Sequence, residues 1–403
     1  MAADPSGRKI KSSPGEQHVQ RLRFGIVGSG YMAKTHSLAL RNLESFLWPD
    51  MPRIEMIRLA DINARLAEES ARRWGWAEAT TDWKRITRAD DIDVVVIITP
   101  NDSHEEIACD AFANDKHVFC EKPLASSAAS AWRMAEAASR SGKVNMVNFV
   151  YRCWPAVQFA RKLVDDGELG ELRHFEGHFF QDYANAPDLP YAWRFDSARA
   201  GAGAGGDLGS HISDIAVALV GPVARVAASS RTYFPQRADG AAMRDVTVDD
   251  MMTTLVEFRS GATGSIHSSW AATGHKSDLA FTLIGSRGTL SFSWERNNEI
   301  HLYTEAEQKD RSGFRRIMIG GIHPEAEPFW YAQGQGLGYG EAFVITARRL
   351  VEAIQKNNTS ASPSFAEAAH VNAVIEATVK AAATRQWQEG AGGSPAPLFK
   401  IRG

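Results

Sequence analysis

The sequence predicts an α/β protein with two parts: a doubly wound parallel sheet, then an α+β domain with a large, mostly antiparallel sheet. A glycine-rich turn from Gly28 to Ala33, directly after a short apolar run, indicates the parallel sheet. Beyond Pro222, short β-rich runs separated by turns such as Ser286-Arg287-Gly288 indicate the antiparallel sheet. The length of 403 residues and the hydrophobic content of 44% also favour two domains. We place them at residues 21–150 and 151–390.

The composition narrows the class of partner. The net charge of -3, with 23% charged residues, gives no basic excess for nucleic acid, so a small molecule is the expected partner. Three cysteines without CxxC spacing argue against a disulfide framework and a cysteine-built zinc site, and favour a reducing compartment. No segment has the apolar length of a membrane span. We therefore expect a soluble cytoplasmic protein with a disordered leader at 1–20 and a tail at 391–403.

The first element is a strand, Leu22 to Val27, which leads into the sequence Gly-Ser-Gly-Tyr-Met-Ala and then into a helix. In this G-x-G-x-x-A pattern, Gly28 permits the tight turn and Gly30 lets a pyrophosphate approach the backbone. Tyr31 and Met32 are the variable positions of this pattern, and the segment from Lys34 to Leu43 then has helical composition, with free N–H groups that would face the phosphates. A purely structural turn is the alternative, but the strand and helix on either side favour a dinucleotide site of the Rossmann type.

The second strand, Ile54 to Ala60, ends at Asp61. A carboxylate at this position would accept hydrogen bonds from the adenosine ribose hydroxyls and repel a 2′-phosphate, so NAD is favoured over NADP. The spacing from Gly28 is longer than usual, which an inserted loop at Trp48 to Pro52 explains. Arg65 is the counterargument, because it could reach a 2′-phosphate; a surface position on the next helix is the other interpretation.

The next two strands deliver polar residues to one edge of the sheet. Ile92 to Thr99 leads into Pro100, Asn101 and His104, at the carboxyl edge where doubly wound sheets bind ligands. Asp102 or Ser103 could instead simply cap the following helix. Val118 to Cys120 then delivers Glu121-Lys122-Pro123 to the same edge. The ammonium of Lys122 could donate to a substrate oxygen beside the nicotinamide.

These motifs together resemble a known family. Gly28-x-Gly30, Thr99-Pro100-Asn101 with His104, and Glu121-Lys122-Pro123, in this order, resemble the glucose-fructose oxidoreductase, inositol dehydrogenase and rhizopine-catabolism (Gfo/Idh/MocA) family. The resemblance spans about Arg21 to Trp387. Ser45 to Asp50, Gln181-Asp182-Tyr183 and the glycine cluster from Gly334 to Gly340 are closest to its levoglucosan dehydrogenase-like and inositol dehydrogenase-like branch. The glycine cluster is expected to form a loop beside the substrate pocket.

The second part of the chain supplies the other catalytic candidates. Asp207 and His211 are four residues apart at the start of an apolar helix, so they share a helical face. Taken alone, Asp207 would be an N-cap and His211 an incidental histidine. The segment resembles the family's second signature, which implies that His211 is the general acid/base, that Asp207 orients the substrate and that Lys122 completes the trio. Histidine has the near-neutral pKa that removal of a hydroxyl proton requires.

Further candidates rest on the same resemblance. It places Arg194 near the cofactor and Tyr151, Arg152, Gln181 and Trp193 near the substrate, together with Lys122, Asp207 and His211. Ordinary sheet packing with surface arginines is an equally good account of Tyr151-Arg152 and Trp193-Arg194.

A polar strand face completes the second part. His174, Glu176 and His178 alternate along Leu172 to Asp182 and so share a face. A solvated, substrate-lining or subunit-facing surface is favoured over a metal site, and the resemblance implies that the uncovered face of the sheet is buried against a second subunit. We therefore predict no metal, and a homodimer or homotetramer.

The leading hypothesis is an oxidoreductase that transfers hydride between a secondary hydroxyl of a cyclic sugar, anhydrosugar, glycoside or inositol and NAD. A second hypothesis is a glycoside 3-oxidising enzyme that retains and recycles tightly bound NAD. A third is a non-enzymatic sensor that binds a dinucleotide; the presence of Lys122, Asp207 and His211 argues against it. The substrate and the carbon oxidised do not follow from the sequence.

Overall fold

The computed structural model describes residues 21–305, 309–332 and 334–390. The predicted leader and tail lie outside this range. Within it, no helix is both long and apolar enough to cross a membrane. No cluster of three or more His, Cys, Asp or Glu side chains in this range could hold a metal ion.

The first part of the described chain forms a parallel sheet of six strands in the order β3-β2-β1-β4-β5-β6, which confirms the doubly wound prediction. The strands are β1 (Arg21–Val27), β2 (Arg53–Ala60), β3 (Glu78–Thr80), β4 (Val94–Ile97), β5 (His117–Cys120) and β6 (Asn145–Val147). The helices are α1 (Tyr31–Leu47), α2 (Ala64–Trp74), α3 (Lys84–Thr87), α4 (His104–Ala113) and α5 (Ala128–Ser141), with a 3₁₀ turn at Asn101–Ser103. All four residues of β4 are buried and β-branched, as expected for a strand covered on both faces.

The second part contains a larger sheet of nine described strands, ordered β16-β15-β14-β13-β7-β12-β11-β8-β17. Only β7 and β12 pair in parallel, so the predicted mostly antiparallel sheet is confirmed. Its strands are β7 (Leu172–Phe180), β8 (Val223–Arg231), β11 (Met251–Phe258), β12 (Thr263–Ser269), β13 (Asp278–Gly285), β14 (Gly288–Ser293), β15 (Glu299–Thr304), β16 (Arg315–Met318) and β17 (Gln388–Glu389). A separate hairpin is formed by β9 (Gln236–Asp239) and β10 (Ala242–Asp245).

Six helices accompany this sheet. They are α6 (Pro155–Asp165), α7 (Ser197–Ala200), α8 (Ala204–Asp207), α9 (Gly209–Val220), α10 (Tyr339–Gln355) and α11 (Phe365–Thr384). Short 3₁₀ turns lie at Trp193–Phe195, Trp294–Arg296, Lys309–Arg311 and Glu327–Phe329.

Strand β7 separates the two faces of the large sheet. Phe175, Gly177 and Phe179 are buried, whereas the alternate positions carry the predicted polar face. A Cβ atom on Gly177 would lie 2.8 Å from Cδ1 of Ile212, so glycine lets α9 approach the sheet closely. This close approach sets the position of the helix that carries His211.

The last two long helices return to the first sheet. Helix α10 packs on α1, and α11 packs on α5. The ring of Phe365 at the start of α11 contacts that of Phe112 with centroids 5.5 Å apart. The amide of Asn372 donates to the carbonyl of Ala125 at 2.7 Å. The helices that cover the parallel sheet therefore come from both predicted domains, 21–150 and 151–390.

Candidate active site

A cavity of about 1160 Å³ runs from the turn after β1 to the start of α9. It joins the edge of the parallel sheet to the second part of the molecule, as expected for ligands of doubly wound sheets. Most of the predicted site residues line it: Gly28, Gly30, Tyr31, Met32, Asp61, Thr99, Pro100, Asn101, Glu121, Lys122, Tyr151, Gln181, Trp193, Arg194, Asp207 and His211. Of the predicted set, His104 and Arg152 are not in the lining.

The glycine turn has the shape that a dinucleotide needs. Gly28 has φ +115°, and a Cβ atom there would lie 2.7 Å from Cγ1 of Ile98, so only glycine fits. At Gly30, by contrast, a Cβ atom would meet nothing within 4 Å, and this open space lies in the cavity wall. Gly30 precedes α1, whose first turn has no side-chain cap. Its N–H groups are thus available to a phosphate, and the turn fits NAD.

Asp61 lies beside this turn at the end of β2. Its Oδ2 accepts hydrogen bonds from N and Oγ of Ser29, at 3.0 and 2.5 Å. Ser29 was missed by the motif, in which its position is unspecified. Arg65 has a side chain that is 80% exposed, lies 3.7 Å from Glu69 and is not in the cavity wall. Of these two charged residues, Asp61 therefore lies in the cavity wall beside the glycine turn and Arg65 does not.

The turn after β4 bridges the two parts of the chain. Asn101 is buried and donates from Nδ2 to the carbonyl of Ala200 at 3.0 Å. Beside it, Nε of Arg199 lies 3.0 Å from Oδ2 of Asp102. Arg199 and Ala200 also line the cavity, so these contacts join the two parts of the chain at its wall.

His104 requires a correction. It is fully buried, and its two ring nitrogens lie 3.1 Å from the carbonyl of Leu124 and 2.9 Å from that of Thr99. Burial lowers the pKa of its imidazole. His104 therefore holds the turn that carries Thr99 in place from the buried side. It does not line the cavity in which the cofactor is expected.

Lys122 is held across the cavity by Asp207. Its Nζ donates to Oδ1 of Asp207 at 2.6 Å and to the main-chain carbonyl of the same residue at 2.9 Å. An ammonium group has three protons, so one donor remains for a substrate oxygen. The lysine side chain is 15% exposed, which shields the pair from bulk water.

Glu121 has a buried position behind Lys122. Its Oε1 accepts from Nδ2 of Asn148 at 2.7 Å and lies 2.7 Å from Nε2 of His36. Burial alone would raise the pKa of Glu121, but the His36 hydrogen bond and charge, with Asn148 and Lys122, keep it below the usual value. A buried ionised carboxylate thus anchors the strand end that presents Lys122.

Asp207 is ionised for a similar reason. Burial would raise its pKa, but the charges of Lys122 and Arg194 and the hydrogen bonds from Lys122 and Tyr183 bring it well below the usual range. The hydroxyl of Tyr183 donates to Oδ2 at 2.8 Å. Asp207 therefore carries a protein donor on each carboxylate oxygen.

His211 lies four residues after Asp207, near the start of α9, inside an aromatic wall. Its ring centroid is 4.8 Å from that of Tyr151, 5.9 Å from that of Phe179 and 6.0 Å from that of Phe149. Among the described residues its Nδ1 has no hydrogen-bond partner. Burial, and then the charge of Lys122, lowers the pKa of His211 well below that of an ordinary histidine. The ring is therefore neutral at pH 7, the form that accepts a proton.

Arg152 also requires a correction. Its guanidinium is buried, with Nε 2.8 Å from Asp214 and Nη1 2.8 Å from Glu367. Asp214 lies on α9 and Glu367 on α11, so Arg152 joins these helices behind the cavity and does not reach the substrate space. Tyr151, the preceding residue, faces His211 instead. The guanidinium of Arg194 lies 4.6 Å from the ring centroid of Trp193 in the cavity wall.

The cavity wall contains other residues that the motifs did not identify. Tyr183 and Ser277 come from loops, Trp294 from a 3₁₀ turn and Tyr339 from the start of α10; no local pattern connects them with Lys122. The late glycine cluster was expected beside the pocket, and Tyr339 within it does line the cavity. The helix after it, α10, begins at Tyr339.

Two family models match the chain. Residues 22–149 match the model described as the oxidoreductase family, NAD-binding Rossmann fold. Residues 157–291 match the GFO/IDH/MocA C-terminal domain.

Individual relatives extend this match over most of the chain. Levoglucosan dehydrogenase of Pseudarthrobacter phenanthrenivorans is 37% identical over 384 residues, covering 92% of this chain and 98% of that protein. Inositol 2-dehydrogenase of Rhizobium meliloti is 26% identical over 367 residues, covering 91% and 98%. A solved structure of levoglucosan dehydrogenase in complex with NADH and levoglucosan superimposes with a TM-score of 0.90 at 37% identity, covering 93% of this chain and 100% of that one. The chain belongs to the GFO/IDH/MocA oxidoreductase family.

Proposed function

We propose that this protein is an NAD-dependent dehydrogenase that acts on a secondary hydroxyl of a cyclic sugar, anhydrosugar, glycoside or inositol. One observation carries the proposal: a single cavity joins the glycine turn to Lys122, Asp207 and His211. Among the substrate classes, the anhydrosugars come first, because levoglucosan dehydrogenase is 37% identical to this chain, whereas inositol 2-dehydrogenase is 26% identical over a similar length.

Each part of the reaction has a candidate residue. Bound NAD would supply the hydride acceptor, held at Gly28, Gly30 and Asp61. His211 is neutral and takes the hydroxyl proton as general base. Lys122 donates its remaining N–H to the substrate oxygen and stabilises the negative charge that develops there. Asp207 keeps Lys122 in place and favours the protonated state of His211 by its charge.

The proposal is tested by NAD reduction with levoglucosan, inositols, free aldoses and glycosides. At least one cyclic polyol should reduce NAD, and Lys122→Met should lower kcat by about 10²–10³-fold, the usual cost of losing a donor to a developing oxyanion. Lys162→Met, on the surface helix α6, is the matched control and should keep full activity. Full activity of Lys122→Met would contradict the assignment.

A second candidate is the same chemistry with retained NAD. The contacts Asn101–Ala200 and Asp102–Arg199 favour it, because they tie the second part of the chain to the turn after β4, beside the cavity, and such ties would hinder release of a bound cofactor. Denaturation of freshly purified protein should then release stoichiometric NAD or NADH. Protein that is purified free of dinucleotide and needs added NAD would contradict retention. If Lys122→Met kept every activity but lost the binding of a protein partner, a dinucleotide sensor would replace both proposals.

We also propose that the polar face of β7 is buried in a homodimer or homotetramer and that the protein acts in the cytoplasm. His174 and His178 are half-buried and Glu176 is exposed, on a face that the helices leave uncovered. Light scattering should give a dimer or tetramer, and Glu176→Lys should shift it toward the monomer. A monomeric unmodified protein would contradict the assembly.

A further inference from the structure

Tyr183 is a cavity residue to which the motifs give no role. Its hydroxyl donates to Oδ2 of Asp207 at 2.8 Å, while Lys122 donates to Oδ1 at 2.6 Å. Two donors on opposite oxygens oppose rotation of the carboxylate group. Hydrogen bonds to ionised groups are among the stronger ones in proteins. The orientation of Asp207 therefore depends on Tyr183 as well as on Lys122.

The fold fixes the position of this tyrosine. The next residue, Ala184, donates its N–H to the carbonyl of Trp270 at 3.0 Å and accepts from Nη2 of Arg237 at 2.7 Å. The ring of Tyr183 itself contacts that of Trp270, with centroids 6.0 Å apart. The hydroxyl is thus placed by its own loop, independently of Asp207.

We propose that Tyr183 is a positioning residue, which orients the carboxylate of Asp207 so that Lys122 keeps one ammonium proton for the substrate oxygen. The inference rests on the proposed dehydrogenase function. Without the hydroxyl, the carboxylate can turn and draw Nζ of Lys122 away from the substrate. The loss then falls on the chemical step, since the glycine turn and Asp61 are untouched.

The first test is Tyr183→Phe, which keeps the ring and removes the hydrogen bond. We expect kcat/KM for the polyol to fall about tenfold, the usual size for a hydrogen bond to a charged group. The Kd of NADH, measured by fluorescence, and the melting temperature should stay unchanged. In a protein that already carries Asp207→Asn, Tyr183→Phe should lower kcat/KM less than about twofold, because the effects of substitutions at two residues that act together do not add. Tyr191→Phe is the control, since Tyr191 lies in the same loop but does not line the cavity.

Two kinetic results would overturn the inference. Unchanged kcat/KM in Tyr183→Phe would show that the hydrogen bond does not matter to the reaction. A tenfold loss in both backgrounds would show that Tyr183 acts independently of Asp207.

A second measurement needs no substrate. Burial and the neighbouring Asp207 raise the pKa of the Tyr183 phenol above its ordinary value. In ¹³C NMR titrations of protein that carries labelled tyrosine at position 183 alone, Asp207→Asn should lower this pKa. An unchanged pKa would disprove the contact, whereas failure of every polyol to reduce NAD would instead count against the proposed function. Should Tyr183→Phe not fold, Asp207→Asn alone still decides whether the contact exists.

Discussion

We propose that the choice between NAD and NADP depends on Asp61. Its carboxylate is fixed beside the glycine turn by Ser29, where a 2′-phosphate of NADP would meet its negative charge. We expect kcat/KM with NAD to exceed that with NADP. Asp61→Ala should lower the ratio of the NAD value to the NADP value about tenfold, because this repulsion is lost. Arg65→Ala is the control, and it should leave the ratio unchanged because Arg65 lies outside the cavity wall. Equal use of both cofactors by the unmodified protein would disprove the role of Asp61.

The pKa of His211 predicts how the reaction depends on pH. A general base works in its deprotonated form, which prevails above its pKa. Because burial and Lys122 lower the pKa of His211 below 6.5, activity should persist as the pH falls through 6.5 and decline only at lower pH. The profile of kcat/KM for polyol oxidation, which reports groups of the free enzyme, measures this limb. A midpoint at or above pH 6.5 would contradict the assignment of His211 as a buried base.

At the scale of single residues, the sequence was informative where a motif fixes a backbone position. Gly28, Lys122 and Asp207 lie in the cavity wall, as their patterns predicted. It was less informative for Arg152, since nothing local shows that its partner Glu367 comes from a helix more than two hundred residues later. The contact of Tyr183 with Asp207 depends in the same way on how a loop folds.

At the scale of elements, one buried side chain organises the loop that carries Gln181, Tyr183, Trp193 and Arg194. Arg237, on β9, is fully buried and donates to the carbonyls of Ala184, Ala186 and Leu189. Its guanidinium also lies 4.5 Å from the ring centroid of Phe195, where the loop ends. The β9–β10 hairpin therefore supports the substrate side of the cavity through this arginine.

Arg237→Met tests this support. Methionine fills similar apolar space but removes the donor to all three carbonyls, and the loss at the buried Ala184 should cost about 1–3 kcal/mol. We expect faster hydrogen exchange in residues 181–195 and a higher KM for the polyol, with the Kd of NADH unchanged. Arg244→Met on β10 is the matched control, because Arg244 is half-exposed and lies over Tyr191 outside the cavity. Exchange that is unaltered in this loop would refute the role of Arg237.

Strand-level predictions succeeded where the pattern is local. Alternation along β7 predicted its polar face correctly, because side chains on a strand must alternate. The strand predicted at Ile92 to Thr99 pairs only over Val94–Ile97, since the chain turns away toward Pro100. The packing of α10 and α11 on the first sheet was not predicted, because an amphipathic helix pattern does not identify its partner.

At the scale of the whole molecule, buried histidines link stability to pH. His370 on α11 is 3% exposed, and burial, together with the charge of Arg259, lowers its pKa to about 4. The unfolded chain takes up this proton near pH 6.5, so between these values it binds more protons than the folded protein. The free energy of unfolding therefore falls as the pH decreases through this window.

His370→Gln should remove one such contribution. At one unit of pKa per 1.4 kcal/mol, His370 accounts for about 2 kcal/mol of the stability lost between pH 7 and pH 5. The free energy of unfolding, measured with urea at pH 7 and at pH 5, should differ less between the two pH values in the variant, by about this amount. His323→Gln controls for removal of a histidine elsewhere, where the ring lies against Phe159. An unchanged pH difference in His370→Gln would mean that α11 releases this ring to water before the molecule unfolds.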